Sequence, residues 1–173
     1  MDEEFSRTIK AGQIHEQEQE FLLQADTTAR KLLAERFSLP GIARLEGRFL
    51  LRHEAGGVIA GSLAMQAEVT LVCSVTLEPF AETLSESAAL RFVPASEAEA
   101  EEEELELEPE SLDGPDEIPY TGGLIDLGAA LAEQLALSLP PYPRKPGAEL
   151  PPEARDDSAN PFAALSRLRG KEP

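Results

Sequence analysis

Residues 56–79 read Gly-Gly-Val-Ile-Ala-Gly-Ser-Leu-Ala-Met-Gln-Ala-Glu-Val-Thr-Leu-Val-Cys-Ser-Val-Thr-Leu-Glu-Pro, and from Ala67 onward they alternate. Ala67, Val69, Leu71, Cys73, Val75 and Leu77 fall on one side. Glu68, Thr70, Ser74, Thr76 and Glu78 fall on the other, with Val72 the exception. A period of two is that of a strand with one buried and one wetted face. Such a strand needs neighbours to pair its backbone and a core to cover its apolar side. It therefore dictates a sheet with something packed on one face.

The flanking sequence supplies both. Residues 5–9 and 20–25 are predicted strands, with Phe21, Leu23 and Ala25 in phase in the second, and 12–19 is a polar loop. Asp26 or Thr27 caps a helix in which Ala29, Leu32, Leu33 and Phe37 recur at helical spacing, and Pro40-Gly41 stops it. Residues 44–52 alternate again, Leu45, Phe49 and Leu51 facing in and Arg44, Glu46, Arg48 and Arg52 facing out. The turn at 54–57 makes a hairpin with the central strand, its glycines free to take positive φ. Pro79 is expected to end that strand, and a return strand follows over 84–93, with Leu84, Ala88, Leu90 and Phe92 on one face.

Charge divides the chain. The formal net charge is −18, and residues 97–117 hold twelve acidic and no basic side chains, leaving −6 for the rest. A segment so acidic, broken by Pro and Gly and without aromatics, buries too little to offset its ordering entropy. The insert, drawn over 95–117, is expected to be disordered. Asp126 caps the strongest predicted helix, 126–138, with Leu127, Leu131 and Leu135 as its stripe and Pro140 at its end. Residues 141–159 read as a Pro-rich linker. Asn160 then caps a short helix with Pro161 at its first position, Phe162, Leu165 and Leu168 forming its apolar side. That segment either packs back on the domain or docks on a partner. The expectation is an α+β domain over 1–140, a mainly antiparallel sheet with two packed helices, followed by the linker and docking segment over 141–173.

Little catalytic chemistry is on offer. One cysteine forms no internal disulfide and cannot build a four-ligand zinc site, and in phase with the apolar face it reads as core. His15 and His53 fall in turns without a second ligand at metal spacing. No catalytic residue, metal or cofactor is expected. The acidic balance disfavours DNA and non-specific nucleic acid. The acidic start has no apolar stretch to make a secretory signal, and no apolar run matches a bilayer, so a cytoplasmic protein without membrane contact is expected. Arg44, Arg48 and Arg52 on one strand face are the candidate phosphate contacts; the competing reading is a solvated face balanced by Glu46 and Glu68.

Val-Cys-Ser-Val-Thr-Leu-Glu-Pro at 72–79 resembles the central motif of the YceD-like family, the large ribosomal RNA subunit accumulation proteins, which often reads Cys-x-x-Cys-Leu-x-Pro. Cys73, Leu77 and Pro79 match, and Thr76 stands at the second cysteine. Leu124-Ile125-Asp126-Leu127-Gly128, followed by 135–140 ending in Pro140, resembles the family's Asp-Leu-Gly helix. Asn160-Pro161-Phe162-Ala163-Ala164-Leu165 resembles its Asn-Pro-Phe-Ala-x-Leu motif, while Pro143-Arg144-Lys145-Pro146-Gly147 lacks the cysteine that relatives often carry there. The resemblance implies a bacterial, non-catalytic ribosome biogenesis factor needed for accumulation, processing or stability of large-subunit (23S-type) ribosomal RNA. Charge adds an expectation of an indirect route. The partner is a ribosomal protein, an rRNA-processing factor or a pre-ribosomal particle, with direct RNA binding second. The alternative is an adaptor or regulator of a metabolic enzyme, docking through residues 160–168. An uncharacterised hydrolase is the remote third.

Overall fold

The computed structural model describes residues 5–95 and 116–149. Its elements run β1 (Thr8–Lys10), β2 (Gln19–Gln24), α1 (Thr27–Arg36), β3 (Gly41–His53), β4 (Ile59–Val72), β5 (Pro79–Pro94), β6 (Asp116–Tyr120), β7 (Leu124–Asp126) and α2 (Leu127–Ser138). Five strands form one sheet in the order β2-β3-β4-β5-β6, antiparallel except for β6, which runs parallel to β5. β1 and β7 form a separate antiparallel pair. This is the expected α+β class, with a mainly antiparallel sheet and two helices.

Alternation builds the core. Phe49 and Leu51 of β3, Leu63, Met65, Ala67, Val69 and Leu71 of β4, and Leu90 and Phe92 of β5 point to one side, where Leu33 of α1 and Leu127, Leu131 and Leu135 of α2 meet them. A register shift between Ile42 and Arg44 inserts one extra residue in β3. Such a bulge switches the phase, so Ile42 and Leu45 are both buried while Arg44 stays outside. Gly56 and Gly57, at φ of 75° and 80°, close the β3–β4 hairpin as expected. Asp26 caps α1, its Oδ1 accepting the Ala29 amide at 2.8 Å. Ala29 and Leu33 are buried, but Leu32 is left outward.

Four expectations need correction. The alternating run does not stay a strand to Leu77, because β4 ends at Val72. The Leu77 amide donates to the Cys73 carbonyl and the Cys73 amide to that of Glu78, both at 2.9 Å, which folds 73–78 into a turn. Leu77 takes φ of 58° and is 76% exposed, so its place in the alternation was accidental. Pro79 accordingly opens β5 rather than closing β4, opposite Val72, and the return strand runs from 79 instead of 84. A first strand position needs no donated amide, so proline fits there.

At the N-terminus the strand is Thr8–Lys10, shifted from 5–9, and it pairs not with the main sheet but with the unforeseen β7. The acidic insert is also shorter than drawn. Asp116 and Glu117 belong to β6, whose Ile118 and Tyr120 pack against the core, and the Ala95 amide donates to the Tyr120 carbonyl. The remainder of the insert, 96–115, and the C-terminal segment, 150–173, lie outside the described residues. No helix among the described residues is long and apolar enough to cross a membrane.

Candidate functional site

Three places hold the residues singled out by sequence. The first is the face of the sheet that no helix covers among the described residues. Arg44, Arg48 and Arg52 lie along β3 on that face, as their spacing requires, and each meets a carboxylate of this chain. Arg44 donates to both oxygens of Glu46, Nε at 3.0 Å and Nη2 at 2.6 Å, with Glu68 at 3.9 Å. The bond and charge of Glu46 raise the Arg44 pKa further, so the group is charged throughout. Arg52 donates to Glu54 at 2.7 Å, and Arg48 reaches Glu20 on β2 at 3.5 Å. On β5, Arg91 pairs with Glu117 at 3.1 Å. A phosphate would have to displace these carboxylates. A trough of about 620 Å³ crosses the same face beside Arg48, floored by Ala64 and walled by Leu22, Glu46, Ser85 and Ser87. Small side chains on β4 and β5 leave this hollow, a feature the β3 pattern alone does not reveal.

The second place is the N-terminus of α2. Asp126 Oδ1 accepts the Gly128 amide at 2.9 Å and the Ala129 amide at 3.1 Å, as a helix cap should. The same carboxylate also takes the Arg7 amide at 2.8 Å and, through Oδ2, the Ser6 hydroxyl at 2.6 Å. Burial by itself would raise the Asp126 pKa. The Ser6 hydroxyl and the amides of Arg7, Ala129 and Gly128 outweigh it and hold the carboxyl below its ordinary value. Leu127 is buried, and a Cβ on Gly128 would stand 2.5 Å from the Phe5 carbonyl oxygen and 2.8 Å from the Arg7 nitrogen. The Asp-Leu-Gly run is therefore a clamp: one residue caps, one anchors, and one leaves room for the backbone of residues 5–7. Sequence indicated only the cap, because Ser6 and Arg7 are some 120 residues away.

The third place is the 73–78 turn. Cys73 is fully buried. The segment after Pro140 returns to it: the Ser74 amide and hydroxyl both donate to the Pro143 carbonyl at 2.8 Å, the Lys145 amide donates to Cys73 Sγ at 3.4 Å, and Lys145 Nζ meets Glu78 at 3.0 Å. The Thr76 hydroxyl oxygen is buried and makes no hydrogen bond of ordinary geometry among the described residues; what it faces is the thiol. That hydroxyl first, then the amides of Lys145, Thr76 and Val75, lower the Cys73 pKa from 9.0 to about 6 against the opposing effect of burial. The arrangement holds two distant segments together around one sulfur. Among the described residues no cluster of three or more His, Cys, Asp or Glu stands at metal-binding geometry.

The remaining residues lie elsewhere. His15 and His53 are brought together, the His53 amide donating to the His15 carbonyl at 2.8 Å, with both side chains beside one open hollow. Leu77 is exposed, and Pro79 starts a strand. Asn160, Pro161, Phe162, Leu165 and Leu168 lie outside the described residues, so no geometry bears on the docking segment.

Neither the curated proteins nor the solved structures compared with the chain contain a match. The family model described as large ribosomal RNA subunit accumulation protein YceD matches residues 61–169. That span begins inside β4 and takes in the 73–78 turn, the Asp126 clamp and the 160–168 segment. It omits β3 and with it Arg44, Arg48 and Arg52. With its turn, its clamp and most of its length inside the match, the chain belongs to the YceD family of large ribosomal RNA subunit accumulation proteins.

Proposed function

We propose that this protein is a non-catalytic factor for the accumulation, processing or stability of large-subunit, 23S-type ribosomal RNA, and that it acts through a protein or ribonucleoprotein partner. Family membership supports the ribosomal RNA role. The pairing of the sheet arginines carries the indirect route. Arg44, Arg48, Arg52 and Arg91 are each engaged by a glutamate of the same chain, on a protein of net charge −18. Tight phosphate binding draws on unpaired Lys and Arg and the counterions they displace. A surface that has already spent its cations internally gains little from RNA. The same balance attracts basic proteins, and those that bind ribosomal RNA are basic for the same reason.

Two measurements test the reading. Deleting the gene should lower mature 23S-type RNA relative to the small-subunit RNA, and the wild-type gene should restore it. Purified protein should show no salt-sensitive binding to that RNA. Affinity falling steeply between low and physiological salt would establish direct contact and overturn the indirect route. Unchanged ribosomal RNA in the deletion strain would overturn the reading altogether.

A further inference from the structure

The two edges of the main sheet differ. β2 is short, and its Leu22–Gln24 end shares a cleft of about 540 Å³ with Phe5, Ser6, Arg7 and the first turn of α1. β5 is sixteen residues long, and β6 pairs only with its Leu90–Pro94 end. Among the described residues no strand lies beside 79–89, so alternate residues there turn their N–H and C=O groups outward, unpaired. A long open edge is a template for another strand unless its side chains forbid it.

The side chains on this edge are selective. Glu82 and Glu86 lie on one face with Leu84 half-buried between them, and neither glutamate forms an ion pair among the described residues. Thr83, Ser85 and Ser87, on the other face, are small, polar and exposed. If a second copy added antiparallel about Leu84, Glu82 would stand opposite Glu86 twice over, and like charges directly opposite destabilise a sheet. An incoming strand with lysine or arginine at those two positions would instead make two opposite-charge pairs, about 13 Å apart at strand rise. Between them it would present an apolar residue to Leu84.

We infer that the open edge of β5 between Pro79 and Ala89 is a docking site for an extended basic peptide with the pattern basic-x-apolar-x-basic, added as a further strand of the sheet. This rests on the reading that the protein works through a basic partner, and it names the surface and the form of the ligand. Main-chain bonds supply attachment, and the two glutamates supply the choice of partner. The site begins where the Cys73 turn ends, its Ser85 and Ser87 also wall the trough beside Arg48, and it lies inside the family-matched span.

The probe is a labelled peptide, Thr-Lys-Thr-Val-Thr-Lys-Thr, with a second peptide carrying Glu for Lys, each titrated into the full chain and followed by fluorescence anisotropy and amide exchange. The lysine peptide should bind at least tenfold more tightly than the glutamate peptide and should slow alternate amides between Phe80 and Ala89. Glu82→Lys with Glu86→Lys should reverse that preference. Glu82→Gln with Glu86→Gln should abolish it with the thermal midpoint unchanged, which guards against misfolding of the reversal. No binding, equal affinity for both peptides, slowing of amides outside β5, or self-association of the free protein through this edge would each overturn the inference. If the peptide fails while the wild-type gene still restores 23S-type RNA, the edge falls and the partner reading stands. If deletion leaves that RNA unchanged, the reading falls whatever the peptide does.

Discussion

The Asp126 clamp and the Cys73 turn do the same task with different chemistry. Each fastens a segment remote in sequence, the clamp to the start of α2 and the turn to the β4–β5 connection. At the clamp, one carboxylate takes four donors, two from its own helix and two from Ser6 and Arg7 just before β1. At the turn, one carbonyl takes both donors of Ser74 and a sulfur takes one amide at 3.4 Å. The clamp's four bonds run from 2.6 to 3.1 Å and converge on one carboxylate, while the sulfur takes its amide at 3.4 Å, outside the range of short charge-assisted bonds. The clamp should therefore be the stiffer attachment, and the turn the one that opens first. Both lie in family-like motifs, and the contacts of both fasten distant segments of the fold.

That contrast can be broken at several strengths. Gly128→Val should cost the most, about 3 kcal/mol, because its branched side chain meets backbone of 5–7 that cannot yield without losing β1. Chemical denaturation would check it; a loss under 1 kcal/mol would show that the N-terminal strand is not held there. Asp126→Ala should cost about 2 kcal/mol, the upper range for losing a cap, since two further donors lose their acceptor. The folded carboxyl sits below its ordinary 3.8, so its contribution is complete above that value and is lost as pH falls through the lowered one. Wild type and variant should therefore converge in strong acid.

Ser74→Ala should cost less, about 1 kcal/mol, one neutral hydrogen bond at an exposed site. Its clearer effect should be faster exchange of the Lys145 amide, because the 143–145 segment loses one of the four bonds that hold it to the turn. The Cys73 thiol should titrate near pH 6 by ultraviolet thiolate absorbance in the folded protein, and Thr76→Val should raise that value. Because the folded value lies below 9.0, the thiolate's contribution is complete above pH 9 and is lost as pH falls toward 6. Titration near 9 would mean the donors around sulfur are not in place. Smallest of all, Arg48→Ala should change stability by under about 0.5 kcal/mol, since the pair with Glu20 is long and exposed on both sides.

The sequence by itself settled whatever depends on residues close along the chain. The periods of two and 3.6 placed the central strands and both helices, and the inward face of each but for Leu32 of α1. Asp26 and Asp126 announced the helix starts, because a cap bonds only a few residues ahead. The outward arginines were also legible, since alternation fixes which way a side chain leaves a strand. Tertiary structure alone decided what depends on residues far apart. The alternation at Val75 and Leu77 imitated a strand, yet the Glu78 carbonyl and the returning Pro143 made a turn of it. β6 and β7 are too short to carry a period, and they exist because β5 and β1 offer edges to pair with. Neither the second pair of donors on Asp126 nor the open flank of β5 can be read from local pattern. A backbone group's partner is fixed by which segment the fold brings alongside, and that follows from burying the whole core at once.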